Sequence, residues 1–367
     1  MNESRLRVGI IGANVNYGWG TRAHIPAIQA LPELELVAVC TAHKDTAEET
    51  ARKYGVPMAF HDYEAMVESK DIDIISVCVR VPRHEQMVMA ALRNGKHVFC
   101  EWPLGVNSDE AKEMAALADA KGVRHMIGLQ ARGSPSLIQL KELVDGGYVG
   151  RVLACSMVSF SSGAGLRTPS NAWALDKAQG VNTLTIAGGH SLDALCYCAG
   201  ELEELSSIVS TQVKRAAISG QDKVVDVTSP DNVLVSGRMV NGAVASAHIA
   251  SVPGHGTGFR LEVQGTEGTL VATSSGSVQI GDMELLGGRR GGSGLAPVPI
   301  DVKHRMVPDG MPSGSPYNVG QLFHQFADAI TNKRPIANDF NLAVRRHHLL
   351  DALERASEQG RRQRVVG

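Results

Sequence analysis

The chain up to about residue 130 alternates short apolar runs with helical segments, and no other feature limits the possible fold as strongly. The apolar runs are "LRVGIIG", "LELVAVC", "IDIISVCV", "KHVFC" and "RHMIGL". The segments between them, such as "DTAEETARKYG" and "NSDEAKEMAALADAKG", space polar and apolar residues as a helix does. Apolar strands alternating with amphipathic helices are typical of a parallel sheet covered on both faces. The sequence therefore predicts a doubly wound α/β domain.

The predicted helices carry start and stop signals. Asp45 and Asn107 are each followed three residues later by a glutamate, so both are predicted to cap a helix. Glycines that adopt the left-handed conformation are predicted to end helices at Gly55, Gly95 and Gly122.

Beyond about residue 130 the pattern changes to alternating apolar and polar residues with glycine turns. The segments "RVLACSMVSFSS", "NVLVSGRMVNGAVASAHIAS" and "FRLEVQGTEGTLVAT" predict an antiparallel sheet with one packed face. Residues 285–318, rich in Gly, Pro and Ser, predict a long surface loop, and helical spacing returns after them. We predict two domains, residues 1–129 and 130–367.

Composition excludes several classes of function. The chain has 367 residues, 43% of them hydrophobic, and a net charge of -2, which provides no basic field for a nucleic acid. No charged leader precedes the first strand and no apolar run approaches a membrane span, so we expect a cytoplasmic protein without membrane contact. The six cysteines include no CxxC pair, and the C-x-C of Cys196 and Cys198 alone does not indicate a metal, so no metal site is predicted.

The segment "RVGIIGANVNYGWGTRAHIPAI" predicts a strand, a glycine-containing turn and a helix. Such a turn presents free backbone amides and the positive end of a helix to a pyrophosphate, which favours a dinucleotide site. Asn14 stands where a second glycine is expected, and the turn is unusually long. The alternative is a turn that binds nothing. The predicted cofactor contacts here are Gly12, Asn14, Trp19 and Gly20.

The end of the second strand predicts which dinucleotide is bound. NAD-selective folds place an acidic residue there, whereas this chain has Thr41 with Lys44 close by. A hydroxyl and an ammonium group can hold a 2′-phosphate, so NADP is favoured over NAD. The alternative is that Lys44 is a solvated surface charge.

Ligands of such sheets collect at the carboxyl ends of the strands, where "VRVPRH" and "CEWPLG" are expected to lie with the glycine turn. Arg80 is expected to pair with a phosphate or a substrate carboxylate, or else to face outward. The predicted cofactor contacts in this second group are Arg80, Pro82, His84, Glu101, Trp102 and Gln130.

Several motifs in order carry a family resemblance: H-x-P-A after the glycine turn, "VPRH", "GKHVFCEWPL", "GYVGRV", "GGHSLD" and "GTEGTL". Together they resemble the glucose-fructose oxidoreductase / inositol dehydrogenase (Gfo/Idh/MocA) family over nearly the whole chain. The resemblance implies an N-terminal Rossmann domain and a C-terminal α/β domain with a large, mostly antiparallel open sheet. It also implies substrate binding and assembly into a homodimer or homotetramer by the second domain.

The same resemblance implies hydride transfer between NAD(P) and a sugar, cyclitol or related small molecule, with His190 as the catalytic residue. Two of the family's proton-handling residues are replaced, since Trp102 stands at the position of a lysine and Ile186 at that of an aspartate. The residues expected to contact substrate are Trp102, Arg132, Trp173 and Asp193.

These departures, with "LQARGSPS" and "GVNTLTIAGGHSLD", resemble a variant branch of the family that includes the fungal galactose-regulon repressor. Two functions therefore remain open at this point. The first is an NAD(P)-dependent oxidoreductase, which we favour because no basic segment or extra protein-binding module is present. The alternative is a catalytically weak or inactive NAD(P)-binding sensor that acts through protein contacts.

Overall fold

The computed structural model describes residues 5–365, which form two compact units. The first unit runs to Gly133 and also contains Arg305–Val344. The second contains Ser134–His304 and continues from Arg345. The division predicted after residue 129 differs from these units chiefly in where Arg305–Val344 belongs.

The strands in chain order are β1 (Leu6–Ile11), β2 (Leu34–Cys40), β3 (Met58–Phe60), β4 (Ile74–Val77), β5 (His97–Glu101), β6 (His125–Gly128), β7 (Val152–Ser162), β8 (Leu166–Arg167), β9 (Leu202–Ser210), β10 (Arg215–Ile218), β11 (Val224–Asp226), β12 (Asn232–Met239), β13 (Val244–Val252), β14 (Gly258–Gly265), β15 (Gly268–Ser274), β16 (Glu284–Arg289), β17 (Ala296–Pro297) and β18 (Gln363–Arg364).

The α-helices in chain order are α1 (Ile25–Ala30), α2 (Lys44–Tyr54), α3 (Tyr63–Glu68), α4 (His84–Arg93), α5 (Ser108–Lys121), α6 (Pro135–Asp145), α7 (Gly189–Ala199), α8 (Ser315–Thr331) and α9 (Phe340–Gln359). Short π-helical turns cover Gly20–His24 and Thr183–Gly188. Short 3₁₀ turns cover Val81–Arg83, Gln130–Gly133, Pro169–Leu175, Lys177–Gln179 and Val302–His304. None of the helices within residues 5–365 is both long enough and apolar enough to span a membrane.

The sheet of the first unit has the order β3-β2-β1-β4-β5-β6, and all its neighbouring strands are parallel. Strand β4 is buried along its whole length, as expected of a strand covered on both faces. The strand order reverses between β1 and β4, and ligands of such sheets bind beside this point. The prediction of a doubly wound Rossmann domain is confirmed.

The helix ends agree with the sequence in all but one case. The side chain of Asn107 accepts hydrogen bonds from two backbone amides of the first turn of α5, as predicted. The prediction that Asp45 caps α2 is wrong, because His43 precedes the helix and Asp45 already lies in its first turn. There its charge interacts favourably with the helix dipole. Left-handed glycines follow three helices as predicted: Gly55, Gly95 and Gly122.

Helix α8 belongs to the first unit, although the sequence suggested the second. Its apolar face carries Phe323 and Phe326, and the Phe323 ring stacks on Phe99 of β5 at a centroid distance of 4.5 Å. Phe326 meets the same ring edge-on at 6.2 Å. Aromatic pairs in these arrangements contribute about 0.5–1.5 kcal/mol beyond the area that they bury.

The second unit has a nine-stranded sheet with the order β17-β16-β15-β14-β7-β13-β12-β9-β18. Only β7 and β13 pair in parallel among the described strands of this sheet, so the prediction of a mostly antiparallel sheet is confirmed. A smaller sheet has the order β11-β10-β8. The predicted surface loop 285–318 is wrong at its start, because β16 continues the large sheet and buries Leu285.

One face of the large sheet packs against α6 and α7. The strands alternate buried and exposed residues, and the exposed side chains of the other face include several large apolar ones. Along a row across the sheet, Ile208 of β9 pairs with Leu234 of β12, which pairs with His248 of β13, and this in turn with Val158 of β7. The exposed large apolar residues of this face are Leu153, Val158, Ile208, Leu234 and Val244.

Candidate functional site

The glycine turn after β1 closes tightly on the end of β4. Gly12 has a φ of 101°, and a Cβ atom on it would lie 2.5 Å from the carbonyl oxygen of Cys78. A Cβ atom on Gly20 would lie 3.1 Å from the Gly12 carbonyl oxygen. Only glycine fits position 12, since a side chain would collide with backbone and strain the conformation. The sequence identified both residues.

The other residues of the turn hold its shape and leave polar atoms without partners. The Asn14 side chain accepts a hydrogen bond from the Asn16 amide at 2.9 Å, and Arg22 lies over the Trp19 ring at 4.9 Å. The buried Nε1 of Trp19 finds no hydrogen-bond partner within residues 5–365, nor does the buried Oε1 of Gln130. Buried polar groups are normally satisfied, so these two atoms fit a site that a polar ligand completes. The residues present therefore fit a dinucleotide.

A buried network lies where β5 ends. His24 is fully buried, and its Nε2 lies 2.6 Å from the Glu101 carboxylate while its Nδ1 lies 2.9 Å from the Ser76 hydroxyl. The Gln130 side-chain amide donates to the other Glu101 oxygen at 2.6 Å. Burial alone would lower the pKa of His24, but its contacts with Cys78 and Glu101 outweigh burial and raise the pKa to about 10. A histidinium at position 24 thus pairs with Glu101 at neutral pH.

The sequence predicted Glu101 and Gln130 as site residues but assigned no role to His24. The signal was present in the H-x-P-A motif, whose histidine is the last residue of the π-helical turn after the glycines. The Glu101 carboxylate at the end of β5 has no obvious partner in the sequence, since His24 lies far from Glu101 along the chain.

His84 requires a correction, because it was predicted to contact the cofactor. Its ring is buried, with Nδ1 2.9 Å from the Pro103 carbonyl oxygen and Nε2 3.0 Å from that of Val79. Both ring nitrogens are thus occupied by backbone, and His84 ties together the turns that follow β4 and β5. Burial lowers its pKa against the raising effect of these hydrogen bonds.

The turn after β5 contains the buried Trp102, which is joined to Pro103 by a cis peptide bond. Pro82 lies in the 3₁₀ turn after β4, and Arg80, which precedes that turn, is exposed. Arg132 lies in the turn after β6, where its Nη1 donates to the Asn338 side chain at 3.4 Å. The structure thus brings Glu101 and Gln130 together. The other predicted residues lie in the turns that follow β4, β5 and β6 of the same sheet.

The predicted 2′-phosphate residues lie at the start of α2. The Thr41 hydroxyl donates to the His43 carbonyl oxygen at 2.8 Å and lies 2.7 Å from the Thr46 hydroxyl. The Lys44 side chain is 73% exposed, and its Nζ is 3.8 Å from the Glu48 carboxylate. Lys44 is therefore accessible to a ligand, whereas the Thr41 hydroxyl already supports the local backbone.

In the second unit, His190 is a buried residue in the first turn of α7, directly after the π-helical turn that contains Ile186. Asp193, expected to contact substrate, is fully buried and accepts a hydrogen bond from the Arg346 Nε at 2.8 Å. The Arg346 Nη atoms both bind Glu201 at 2.7 Å. The expectation is therefore corrected, because the Asp193 carboxylate holds a buried guanidinium instead.

A cavity of about 640 Å³ lies in the second unit beside these residues. Trp173, a predicted substrate residue, lines it together with Ile186 and Ser191. Arg167 and Asp231 also line it, and neither was found from the sequence. No group of three or more His, Cys, Asp or Glu side chains within residues 5–365 is arranged to hold a metal ion.

Comparison with known proteins agrees with this geometry. Residues 6–129 match the family described as "Oxidoreductase family, NAD-binding Rossmann fold". Dehydrogenase aclE of Aspergillus oryzae is 30% identical over 247 residues, which cover 65% of this chain and 68% of that protein. The chain belongs to the Gfo/Idh/MocA oxidoreductase family. Its first unit contains the NAD-binding Rossmann domain of that family.

Further relatives of this chain include a regulatory protein and an enzyme. Residues 135–274 match the description "Gal80p, C-terminal domain". The galactose/lactose metabolism regulatory protein GAL80 of Saccharomyces cerevisiae is 28% identical over 260 residues, which cover 66% of this chain and 60% of that protein. Levoglucosan dehydrogenase of Pseudarthrobacter phenanthrenivorans is 25% identical over 288 residues, covering 72% of this chain and 73% of that protein. The resemblance to a Gal80-like branch is confirmed.

Solved structures of other proteins share the fold over nearly the whole chain. A Gal80p super-repressor mutant from Saccharomyces cerevisiae superposes with a TM-score of 0.87 at 21% identity, covering 99% of this chain and 98% of that chain. Levoglucosan dehydrogenase in complex with NADH and levoglucosan also gives a TM-score of 0.87, at 22% identity, covering 99% and 100% of the two chains.

Proposed function

We propose that the protein is an oxidoreductase that transfers a hydride between NAD(P) and a hydroxyl or carbonyl group of a sugar, cyclitol or related small molecule. The observation that carries this proposal is the closed glycine turn of Gly12 and Gly20, with the buried Trp19 Nε1 lacking a protein partner within residues 5–365. The turn lies in the NAD-binding domain of an oxidoreductase family. The dinucleotide supplies the hydride acceptor or donor when it is bound.

His190 is the residue that we propose as proton acceptor for the reacting hydroxyl. Trp102 and Ile186 cannot exchange a proton with an alcohol at neutral pH, which leaves His190 as the proton-handling group among the three motif positions. Histidine suits this task, because its ordinary pKa of about 6.5 lies near neutrality.

The experiment that tests the function combines binding with turnover. Quenching of protein fluorescence by NADH and NADPH measures cofactor affinity, and absorbance at the nicotinamide band then follows reaction with sugars, cyclitols and aromatic alcohols. Binding with turnover of at least one compound supports the proposal. Binding without any turnover supports the sensor described below.

We also propose that NADP is preferred over NAD. No acidic residue lies between the end of β2 and Lys44, and the exposed Lys44 ammonium begins α2, whose amino end attracts anions. We expect Lys44→Ala to weaken NADPH binding roughly 5- to 50-fold, because a charged hydrogen bond to the 2′-phosphate is lost. NADH binding should change less than twofold, as measured by the same fluorescence titration.

Lys53→Ala, at the other end of α2, is the matched control and should leave both affinities unchanged. Equal losses for NADH and NADPH in Lys44→Ala would contradict the NADP preference without affecting the proposed reaction.

A second candidate function is a sensor that binds the dinucleotide and acts through protein contacts. It is favoured by the loss of the lysine at position 102 and by the match of residues 135–274 to the Gal80p C-terminal domain. In this case Trp102 would pack against the bound dinucleotide and make its presence a structural signal.

We further propose that the protein is a homodimer or homotetramer assembled through the exposed face of the large sheet. Ile208 and Leu234 are exposed neighbours on adjacent strands, and exposed apolar patches mark interaction sites. We expect wild-type protein to elute as an oligomer in size-exclusion chromatography with light scattering. The double variant Ile208→Asp/Leu234→Asp should be monomeric, because two charges in the contact oppose burial.

Val240→Asp provides the control, since Val240 is an exposed apolar residue in a turn beside the sheet. It should leave the mass unchanged. A monomeric wild-type protein would exclude this assembly.

The same proposal places the protein in the cytoplasm, with no direct nucleic-acid or membrane partner. All six cysteines are buried free thiols, as is usual in a reducing compartment. Burial raises the pKa of Cys40, Cys155 and Cys196 to about 12, so these thiols stay protonated and unreactive.

A further inference from the structure

The cavity of the second unit has the lining of a site for a polyhydroxylated ligand. Its volume of about 640 Å³ falls in the range of small-molecule pockets. Hydroxyl and amide side chains supply both donors and acceptors around it, and the Trp173 ring adds one flat apolar surface. The polar lining includes Ser159, Ser161, Asn171, Asn182 and Ser251.

Arg167 gives this cavity a positive charge that no carboxylate within residues 5–365 balances. The residue ends β8 and is partly buried, and its Nη1 donates to the carbonyl oxygens of Gly163 and Leu166. Its Nε and Nη2 donate to none of residues 5–365, and no Asp or Glu of that range lies within ion-pairing distance. Burial lowers the pKa of Arg167, yet a guanidinium stays charged at any physiological pH.

Asp231 is the one acidic residue among the described residues that line the cavity, and Arg167 is the one cationic residue there. The Asp231 oxygens accept hydrogen bonds from the backbone amides of Gln212 and Val213 at 2.8 and 2.7 Å. These amides satisfy the carboxylate locally, so it does not serve as the counter-ion of Arg167. The free donors of Arg167 therefore call for an anionic group of the ligand.

We propose that this cavity binds a sugar acid, a polyhydroxylated compound whose carboxylate is held in bidentate fashion by the Nε and Nη2 of Arg167. The planar guanidinium fork matches a carboxylate in geometry. A phosphate ester carries a charge of about −1.5 to −2 at neutral pH, which a single arginine balances less well. This inference rests on the proposed function, since Ile186 and Ser191 of the cavity flank His190, and it names the substrate class.

Isothermal calorimetry on the wild-type full-length protein without dinucleotide tests the charge requirement. The probes are D-glucuronate and D-glucuronamide, which have the same shape but differ in charge, and D-glucose. We expect glucuronate to bind at least tenfold more tightly than the other two, because it gains charged hydrogen bonds to Arg167. Equal affinity for the acid and its amide, or no binding of glucuronate, would overturn the proposal.

Variants identify the arginine. Arg167→Gln should lose at least tenfold in glucuronate affinity, and Arg167→Lys should lose an intermediate amount, because a lysine keeps the charge without the fork. Arg215→Gln changes an exposed arginine of the same small sheet and should bind glucuronate as the wild type does. Wild-type affinity in folded Arg167→Gln would overturn the role of Arg167. If Arg167→Gln does not fold, the affinities of the wild-type protein for glucuronate and glucuronamide still show whether the cavity requires a carboxylate.

A further probe distinguishes the two anions that a guanidinium recognises. D-Glucose 6-phosphate should bind more weakly than glucuronate, and tighter binding would overturn the assignment to a carboxylate. Because calorimetry requires no turnover, a protein that binds glucuronate but transfers no hydride would refute the proposed reaction alone. A protein that turns over only neutral sugars would refute the sugar-acid inference alone.

Discussion

Replacement of His190 by alanine is expected to lower kcat about 100- to 10,000-fold on any compound that the wild type oxidises, the usual contribution of a general base. With tryptophan and isoleucine at the two neighbouring motif positions, no second proton acceptor of the motif can substitute for the imidazole. The Kd for NADPH should change less than twofold, because His190 is not among the residues predicted to contact the dinucleotide. Initial rates and fluorescence titration of the same preparation measure the two quantities.

The dinucleotide titration also verifies that the His190→Ala protein is folded, which matters because His190 is buried. His61→Ala, which removes an exposed histidine, is the matched control and should be fully active. If His190→Ala kept more than a tenth of the wild-type rate, another residue would have to move the proton. If the wild type bound dinucleotide but oxidised nothing, the sensor would be the correct function.

Asp193→Asn is expected to destabilise the protein by about 1.5–3 kcal/mol, the contribution of a hydrogen bond between charged groups, because Arg346 keeps its two bonds to Glu201 but loses the carboxylate at its Nε. The Arg346 side chain is only 2% exposed and the Asp193 side chain 0%, so water cannot replace the lost carboxylate. Burial alone would lower the pKa of Arg346, but Cys196, Asp193 and Glu201 outweigh burial and raise it. The arginine therefore stays charged in the variant, and urea unfolding followed by circular dichroism measures the loss.

Arg362→Ala is a suitable comparison, because Arg362 pairs with Glu204 at 3.0 Å, close to the 2.8 Å of the Arg346–Asp193 pair, but the Arg362 side chain is 60% exposed. Exposed pairs contribute about 0–1 kcal/mol, so this variant should unfold nearly as the wild type does. A wild-type unfolding midpoint for Asp193→Asn, together with lost activity, would reinstate Asp193 as a substrate residue.

The sequence predicted the parallel sheet of the first unit well, because buried strands and amphipathic helices leave periodic patterns that local physics dictates. Gly12 was recognisable for the same reason, since its conformation is a property of the turn itself. His24 and Glu101 were not recognisable as a pair, because the pairing depends on which strands become neighbours in the sheet. The spacing of residues along the chain does not reveal that the His24 ring and the Glu101 carboxylate lie 2.6 Å apart in the folded protein.

The misassigned features have a related cause. Asp45 carried a good capping pattern, yet the hydroxyl groups of Thr41 and Thr46 fix the chain around the His43 carbonyl oxygen, and the helix begins two residues earlier than that pattern predicts. Asp193 lies at the spacing of a functional acid, and only the fold reveals that Arg346 occupies it. Arg167 gave no signal at all, because an arginine in a polar segment is usually solvated. Only the structure shows that the Arg167 side chain is partly buried and that no carboxylate within residues 5–365 pairs with it.

The stacking of Phe99 on Phe323 has a consequence for biosynthesis. Helix α8 emerges from the ribosome only after β7 to β17 have been made, so nearly the whole second unit precedes the last piece of the first. Chains usually complete their amino-terminal domain first during translation. In this protein the first unit cannot be completed first, because it includes α8. The apolar surface around Phe99 therefore stays exposed to solvent while most of the second unit is synthesised. Because exposed apolar surface promotes aggregation, we expect chains truncated before α8 to aggregate more readily than the complete chain.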